Sequence, residues 1–283
     1  MEKININNSQ LGYYLAGLIE GNGSLWTPEE IRSSNGFIKN PSIVFSFNKK
    51  EKPFYIHLKK ILNTGKFSEE NSSNTYKLYI NEKKKIIDII NLINGKFRTP
   101  KINYLHNAID YLNVMFNTNI KRLPLDSSDL ESNAWLAGMS DSQGAFVVYL
   151  KDSNKILNLT NDSALVCSYL ITQRFTDPSV AYSYVPFMTE IADLFGSKLY
   201  SKNENTLVFR TSATEKLHLI RSYFEKYPLM TTKYLDYLCY LQAQNYLNKV
   251  LTNEDLAKIK DINNSMNNNR IYFNWDHLNN FYV

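Results

Sequence analysis

The sequence predicts an α/β (α+β) fold made by tandem, pseudo-two-fold duplication, and three observations carry that expectation. LAGLIEGNG at Leu15–Gly23 returns as LAGMSDSQG at Leu136–Gly144, with Leu-Ala-Gly, the closing glycine and an acid in sixth place (Glu20, Asp141) in common. Arg98-Thr99-Pro100-Lys101 and Met230-Thr231-Thr232-Lys233 each lead into an aromatic-rich helical stretch. More weakly, SFNKK at Ser46–Lys50 is echoed by ITQRF at Ile171–Phe175. Three echoes in one order identify a repeat. The copies are placed at 1–116 and 133–283, with 117–132 as linker.

Each copy opens on a helix that carries the nonapeptide, with Ser9 and Ser132 as expected caps. Alternating or aromatic stretches predict strands at Gly23–Trp26, Ser42–Asn48 and Asn74–Ile80, then at Gly144–Leu150, Leu165–Arg174 and Asn205–Thr211. In Ser42–Asn48 the alternation turns Ile43, Phe45 and Phe47 to a core and leaves Ser42, Ser46 and Asn48 opposite. Amphipathic periodicity predicts helices near Lys52–Leu62, Lys83–Ile93, Ile102–Val114, Tyr182–Phe195, Ala213–Tyr227 and Lys233–Val250. The order in each copy is helix, two strands, helix, two strands, then helices. Asn117–Ser132, with a proline, an Asp/Ser cluster and little periodicity, reads as the linker. Beyond Thr252 a last helix and an Asn-rich loop are expected.

Composition bounds the function. A chain of 283 residues accommodates two units of roughly 120–150 residues, and 43% hydrophobic with 13% aromatic content excludes a disordered chain. A net charge of +5 is compatible with a polyanionic partner but too mild to identify one. Cys167 and Cys239 alone cannot build a disulfide scaffold or an all-cysteine zinc site, and His57, His106, His218 and His277 show no metal-ligand spacing. The apolar run Ile86–Ile93 falls far short of the roughly 20 residues that span a bilayer, so no membrane partner is expected. MEKININNSQ has neither a signal-peptide core nor an Arg-rich transit pattern, and a soluble intracellular protein is expected. Asn, at about one residue in eight, and abundant Tyr, Ile and Lys have AT-rich codons, as in a fungal mitochondrial gene.

The nonapeptides have an internal logic. Gly17 and Gly21 lie four apart on one helix face, as do Gly138 and Ser142, and Ala16 and Ala137 keep the adjoining surface low. Small residues at that spacing let two helix backbones approach closely. Two such helices, one per copy, would pack face to face and bring their C-terminal ends together.

With these motifs, their separation and the αββαββα order of each half, nearly the whole chain resembles the LAGLIDADG homing endonucleases of the single-chain, two-motif type. The resemblance implies a pseudo-symmetric monomer with the motif helices at the interface of two saddle-shaped antiparallel sheets. It further implies an intron-encoded, site-specific endonuclease acting on double-stranded DNA with Mg²⁺ or another divalent cation. In the family the eighth motif position is a metal-binding carboxylate; here it is Asn22 and Gln143. The resemblance adds the backbone carbonyls of Gly21 and Ser142 to that ligand set.

Amides keep an oxygen acceptor but lose the charge that offsets stripping water from Mg²⁺, so metal affinity and cleavage should both fall. Asn for Asp and Gln for Glu preserve shape, which points to a cleavage-inactive DNA-binding form, by design or by natural loss. Glu20 and Asp141 turn about 200° away from the eighth position on a helix and are expected at the surface or in capping roles. Lys101 and Lys233 open helices where the family carries a basic residue near the scissile phosphate, and Asn48 and Gln173 occupy strand ends where it carries a polar one. Expected DNA contacts are Trp26, Ser42, Ser46, Lys66, Lys77, Lys151, Lys198, Lys202 and Arg210. The competing readings are a group I intron RNA maturase, which needs no carboxylate pair, and a non-catalytic DNA-binding derivative of the scaffold.

Overall fold

A computed structural model describes residues 9–69, 74–151, 165–178, 182–212 and 214–282. The first half runs α1 (Ser9–Asn22), β1 (Gly23–Trp26), β2 (Ser42–Asn48), α2 (Lys52–Leu62), β3 (Lys66–Glu69), β4 (Thr75–Ile80), α3 (Lys83–Ile93) and α4 (Ile102–Phe116). The second runs α5 (Trp135–Gln143), β5 (Gly144–Leu150), β6 (Leu165–Arg174), α6 (Val185–Leu194), β7 (Lys198–Asn203), β8 (Thr206–Thr211), α7 (Leu217–Lys226), α8 (Lys233–Gln244) and α9 (Asn253–Asn264). Two four-stranded antiparallel sheets result, in orders β1-β2-β4-β3 and β5-β6-β8-β7, the same topology twice.

Most predicted elements are found, several with identical bounds. The outer strands β3 and β7 escape sequence reading because each offers a single half-buried apolar side chain, Phe67 or Leu199, and so shows no alternation to detect. The cap expected at Ser132 is also displaced. Ser132 ends a short 3-10 turn, and it is the Asn133 Oδ1 that accepts the Trp135 N–H. Helix α8 stops at Gln244, six residues before the predicted end.

Each sheet buries one face. Ile43, Phe45, Leu78 and Ile80 form that face in the first half, with Tyr55 of α2 against Phe45, and Phe146, Tyr169, Ile171 and Phe209 form it in the second, against α6, α7 and α8. At roughly 1.5–3 kcal/mol for each large side chain, this burial fixes strand register, since a one-residue slip would turn the set to water. No described helix is long and apolar enough to cross a membrane. After α9, capped by a Thr252/Asp255 box, the chain returns across the molecule. Phe281 packs on Tyr14 of α1 and Phe54 of α2, and Tyr282 packs on Tyr14 while donating to the Pro228 carbonyl.

Candidate active site and nucleic-acid interface

Helices α1 and α5 meet through their glycines. A Cβ on Gly17 would collide with the Trp135 carbonyl and Met139 backbone, and one on Gly138 with the Tyr14 carbonyl and Leu18 backbone. Tyr14 and Leu18 occupy in the first motif the places that Trp135 and Met139 occupy in the second, so the packing obeys the pseudo-two-fold. A Cβ on Gly21 would strike the Ser142 hydroxyl. Backbone contact at these points brings the two C-terminal ends together beside the starts of β1 and β5.

At that junction the eighth-position side chains join. Gln143 Nε2 donates to Asn22 Oδ1 at 2.7 Å and to the Gly21 carbonyl at 3.2 Å. Asn22 Nδ2 donates to the Ser142 carbonyl at 2.8 Å. Each amide therefore reaches the backbone of the opposite motif. Asn22 is exposed and Gln143 half-buried, so the pair lies at the mouth of the interface.

Glu20 and Asp141 are not at the surface. Both are buried, because the turn that carries them away from the eighth position carries them into the helix-start corners of α4 and α8. Glu20 accepts from the Arg98 and Thr99 N–H groups and from Trp135 Nε1 across the interface. Asp141 accepts from the Met230 and Thr231 N–H groups, the Thr231 hydroxyl and the Tyr14 hydroxyl, again across the interface. Burial pushes the Glu20 carboxyl up to about 7 and raises that of Asp141, although the donors around each pull the other way. Their role is to anchor helix starts, and they are committed to it.

The same corners place the lysines. Lys101 Nζ donates to the carbonyls of Ile19, Gly21 and Gly23, and Lys233 Nζ to that of Ser140, the counterpart of Ile19. Burial lowers both ammonium groups to about 8 against the partial compensation of nearby carboxylates, Glu20 and Asp177 for Lys101, Asp141 and Glu51 for Lys233. Glu51, from the first half, accepts from the Thr232 N–H and hydroxyl at the start of α8.

A cleft of about 440 Å³ opens beside the amide pair, lined by Asn22, Gln143, Lys101 and Gln173 together with Arg174 and Asp177. The last two were not found by sequence reading. For Asp177 the reason is that it lies past the end of β6, outside every echo, and for Arg174 it is a register slip in the weakest echo. Gly23 pairs with Phe45 and Gly144 with Ile171, while Asn48 pairs with Thr75 and Arg174 with Thr206. Asn48 therefore corresponds to Arg174, and Gln173 to Phe47. Aligning the buried residues of the two strands (Phe45 with Ile171) would have found this. The Asn48 oxygen caps the turn after β2 by accepting from Lys50 N–H. Asp177 accepts from the Tyr104 and Tyr184 hydroxyls.

The outer faces carry the predicted contact residues. Ladder register puts Trp26 beside Ser42, Ser46 beside Lys77, and Lys66 beside Tyr79 on one face of the first sheet. In the second sheet Lys198 pairs with Arg210, which also donates to Ser168 and Tyr149. Lys202 is exposed at the irregularity in β7, and Lys151 is exposed just after β5.

Duplicated αββαββα halves, docked through glycine-bearing motif helices and flanked by two four-stranded sheets, define a pseudo-symmetric double-motif scaffold. The LAGLIDADG endonuclease family matches the chain over residues 15–112 and 136–244. The chain belongs to that family. It is 30% identical to the intron-encoded DNA endonuclease aI3 of Saccharomyces cerevisiae, over 99% of this chain and 75% of that protein. It is 29% identical to an uncharacterised cox1 intron-2 37.2 kDa protein of Schizosaccharomyces pombe, over 90% of this chain and 72% of that one. Its fold is shared with the LAGLIDADG homing endonuclease I-LtrWI bound to target DNA (TM-score 0.69, 21% identity, covering 94% of this chain and 100% of that one). It is shared too with the meganuclease I-SmaMI bound to uncleaveable DNA (TM-score 0.72, 16% identity, 90% and 98%).

Members of the family are nucleases that use divalent metal, and the donor set here can be tested against such an ion. The oxygens at the junction are the Asn22 and Gln143 amide oxygens and the Gly21 and Ser142 carbonyls, all neutral, and both carbonyls already accept hydrogen bonds. Among the described residues no group of three or more His, Cys, Asp or Glu side chains comes together to hold a metal. Mg²⁺ asks for anionic oxygen to offset its dehydration, and this set does not fit it.

Proposed function

We propose that this chain is a site-specific, intron-encoded DNA-binding protein of the homing-endonuclease type that reads a long duplex target without hydrolysing it. One observation supports this most: two polar and basic sheet faces flank a centre in which both eighth positions are amides hydrogen-bonded to each other. In this reading Lys66, Lys77, Lys151, Lys198, Lys202 and Arg210 contact phosphates, and Trp26, Ser42 and Ser46 reach base edges. Lys101, Lys233 and Gln173 stand nearest the central phosphates, and Asn48 contacts the duplex from its strand end. The protein acts as a monomer in fungal mitochondria, the compartment suggested by relatives named for cox1 introns.

The test is binding to a duplex that carries the host intron's insertion site, against random duplex. Specific binding that weakens steeply with salt is expected, with supercoiled target plasmid left intact in Mg²⁺. Restoring both charges, Asn22→Asp with Gln143→Glu, should convert that plasmid to the linear form. Binding no tighter than to random duplex sinks the proposal. The amides are equally compatible with a group I intron maturase, and tight binding to folded intron RNA without duplex preference makes that the better reading.

A further inference from the structure

We infer that the Asn22–Gln143 pair is a clasp whose amide hydrogens do the bridging work of a cation, making the central interface of this chain independent of divalent metal. The geometry is specific. Gln143 Nε2 spends both hydrogens across the interface, on Asn22 Oδ1 at 2.7 Å and the Gly21 carbonyl at 3.2 Å. Asn22 Nδ2 reaches the Ser142 carbonyl at 2.8 Å in the opposite direction. Flipping either amide would set oxygen against carbonyl oxygen, so the network fixes their orientation. The Gly21 carbonyl also accepts from Lys101 Nζ at 3.3 Å, so both of its lone pairs are used. Positive charge at this point is thus supplied by a lysine held on three carbonyls of the α1–β1 corner.

Acids in these two places would reverse each of the three amide contacts. Two carboxylates would stand within hydrogen-bond distance of each other, each facing a backbone carbonyl of the opposite motif, with no hydrogen to share. Such an arrangement is relieved by a cation between the halves, or by a proton held between the carboxylates at low pH, and the amides need neither. The inference rests on the DNA-binding reading only for its meaning, since the clasp itself is tested on the free protein.

Thermal unfolding of the full chain without DNA, in EDTA and in millimolar Mg²⁺ or Ca²⁺, makes the test. The protein as it stands should melt within about 1 °C of the same temperature in all three, since an ion that binds neither state shifts nothing. The Asn22→Asp, Gln143→Glu double variant should lose on the order of 5 °C in EDTA and regain it with either ion. Gln143→Leu, which removes hydrogen bonds without adding charge, should melt a few degrees lower whatever the ion. An unsubstituted protein that gains as much stability from Mg²⁺ as the double variant overturns the clasp. So does a double variant as stable in EDTA as the parent, or a Gln143→Leu protein whose melting is unchanged. Failure to bind target duplex would leave these melting results standing and strike the proposed function alone.

Discussion

The two lysine corners are built to one plan and finished differently. Each has an acid from its own motif helix, Glu20 or Asp141, gripping the two N–H groups before the helix start and one donor from the opposite motif. Each also has an acid sent from the opposite half. At the second corner Glu51 takes the N–H and hydroxyl of Thr232. At the first, the residue in the place of Thr232 is Pro100, which has neither group to give. The opposite half's acid, Asp177, instead takes the Tyr104 hydroxyl, one turn into α4. The lysines differ accordingly: Lys101 is held on three carbonyls and Lys233 on one. Duplication has been kept where groups are buried and relaxed where a single residue change removed a donor.

Substitutions separate what the two corners share from what distinguishes them. The largest effects belong to the shared part. Gly17→Ala and Gly138→Ala both drive a methyl into backbone that cannot yield, and each should cost about 3 kcal/mol or more, in equal measure. Chemical denaturation that finds one of them tolerated would show that the halves are not equivalent even at the helix pair.

Next come the buried acids. Glu20→Ala strands two backbone N–H groups and an indole N–H, Asp141→Ala two N–H groups and two hydroxyls, and a loss on the order of 3 kcal/mol is expected for each. Their pH signature has a definite sign. Folding raises the Glu20 carboxyl from 4.5 to about 7, so its contribution is full below pH 4.5 and is lost as pH rises through about 7. Glu20→Gln should flatten stability over that window. A variant with the parent's slope would place the titration elsewhere.

Smaller still is the difference between the corners. Glu51→Ala removes a helix-start partner and should cost about 1 kcal/mol. Pro100→Thr restores at the first corner an N–H and a hydroxyl of the kind Glu51 takes at the second. Equal stability of the two single variants and their parent, measured in urea, would deny the corner any energetic weight.

The smallest effect is on binding. Both ammonium groups lose their proton as pH passes about 8 in the free protein, and phosphate contact favours the charged form. Target affinity should therefore decline as pH rises from 8 toward 10, with the slope of log affinity against log salt reduced by about 1 for each phosphate that a neutralised lysine releases. Lys233→Ala should reproduce one unit of that slope at pH 7. An unchanged slope would remove Lys233 from the set of groups that hold a phosphate.

Much of this was legible in the chain. The duplication was readable because glycine contact between helix backbones tolerates almost no substitution, so LAGLIEGNG and LAGMSDSQG stayed alike. Strands β2 and β6 were readable because burial on one face imposes period two. A capping role for Glu20 and Asp141 was among the expectations, but their burial was not. Angular position on an isolated helix says which way a side chain turns, but their burial depends on loops some eighty to ninety residues away closing over them. Arg174 was missed through a register ambiguity at a strand end, where polar residues replace the alternation that would have fixed the alignment, and Asp177 because it lies beyond the strand and outside every echo.

The returning segment at the end of the described chain has a consequence for how the molecule is made. Phe281 and Tyr282 cover Tyr14 and Phe54, residues synthesised well over two hundred positions earlier, and tie them to Pro228 in the second half. During synthesis, which proceeds at about 5–20 residues per second, the first half emerges whole and waits with those rings uncovered. Its apolar flank is sealed only when residue 282 leaves the ribosome. The newborn first half therefore presents a sticky surface for the full interval in which the second is being translated, and the last aromatic pair ends that exposure.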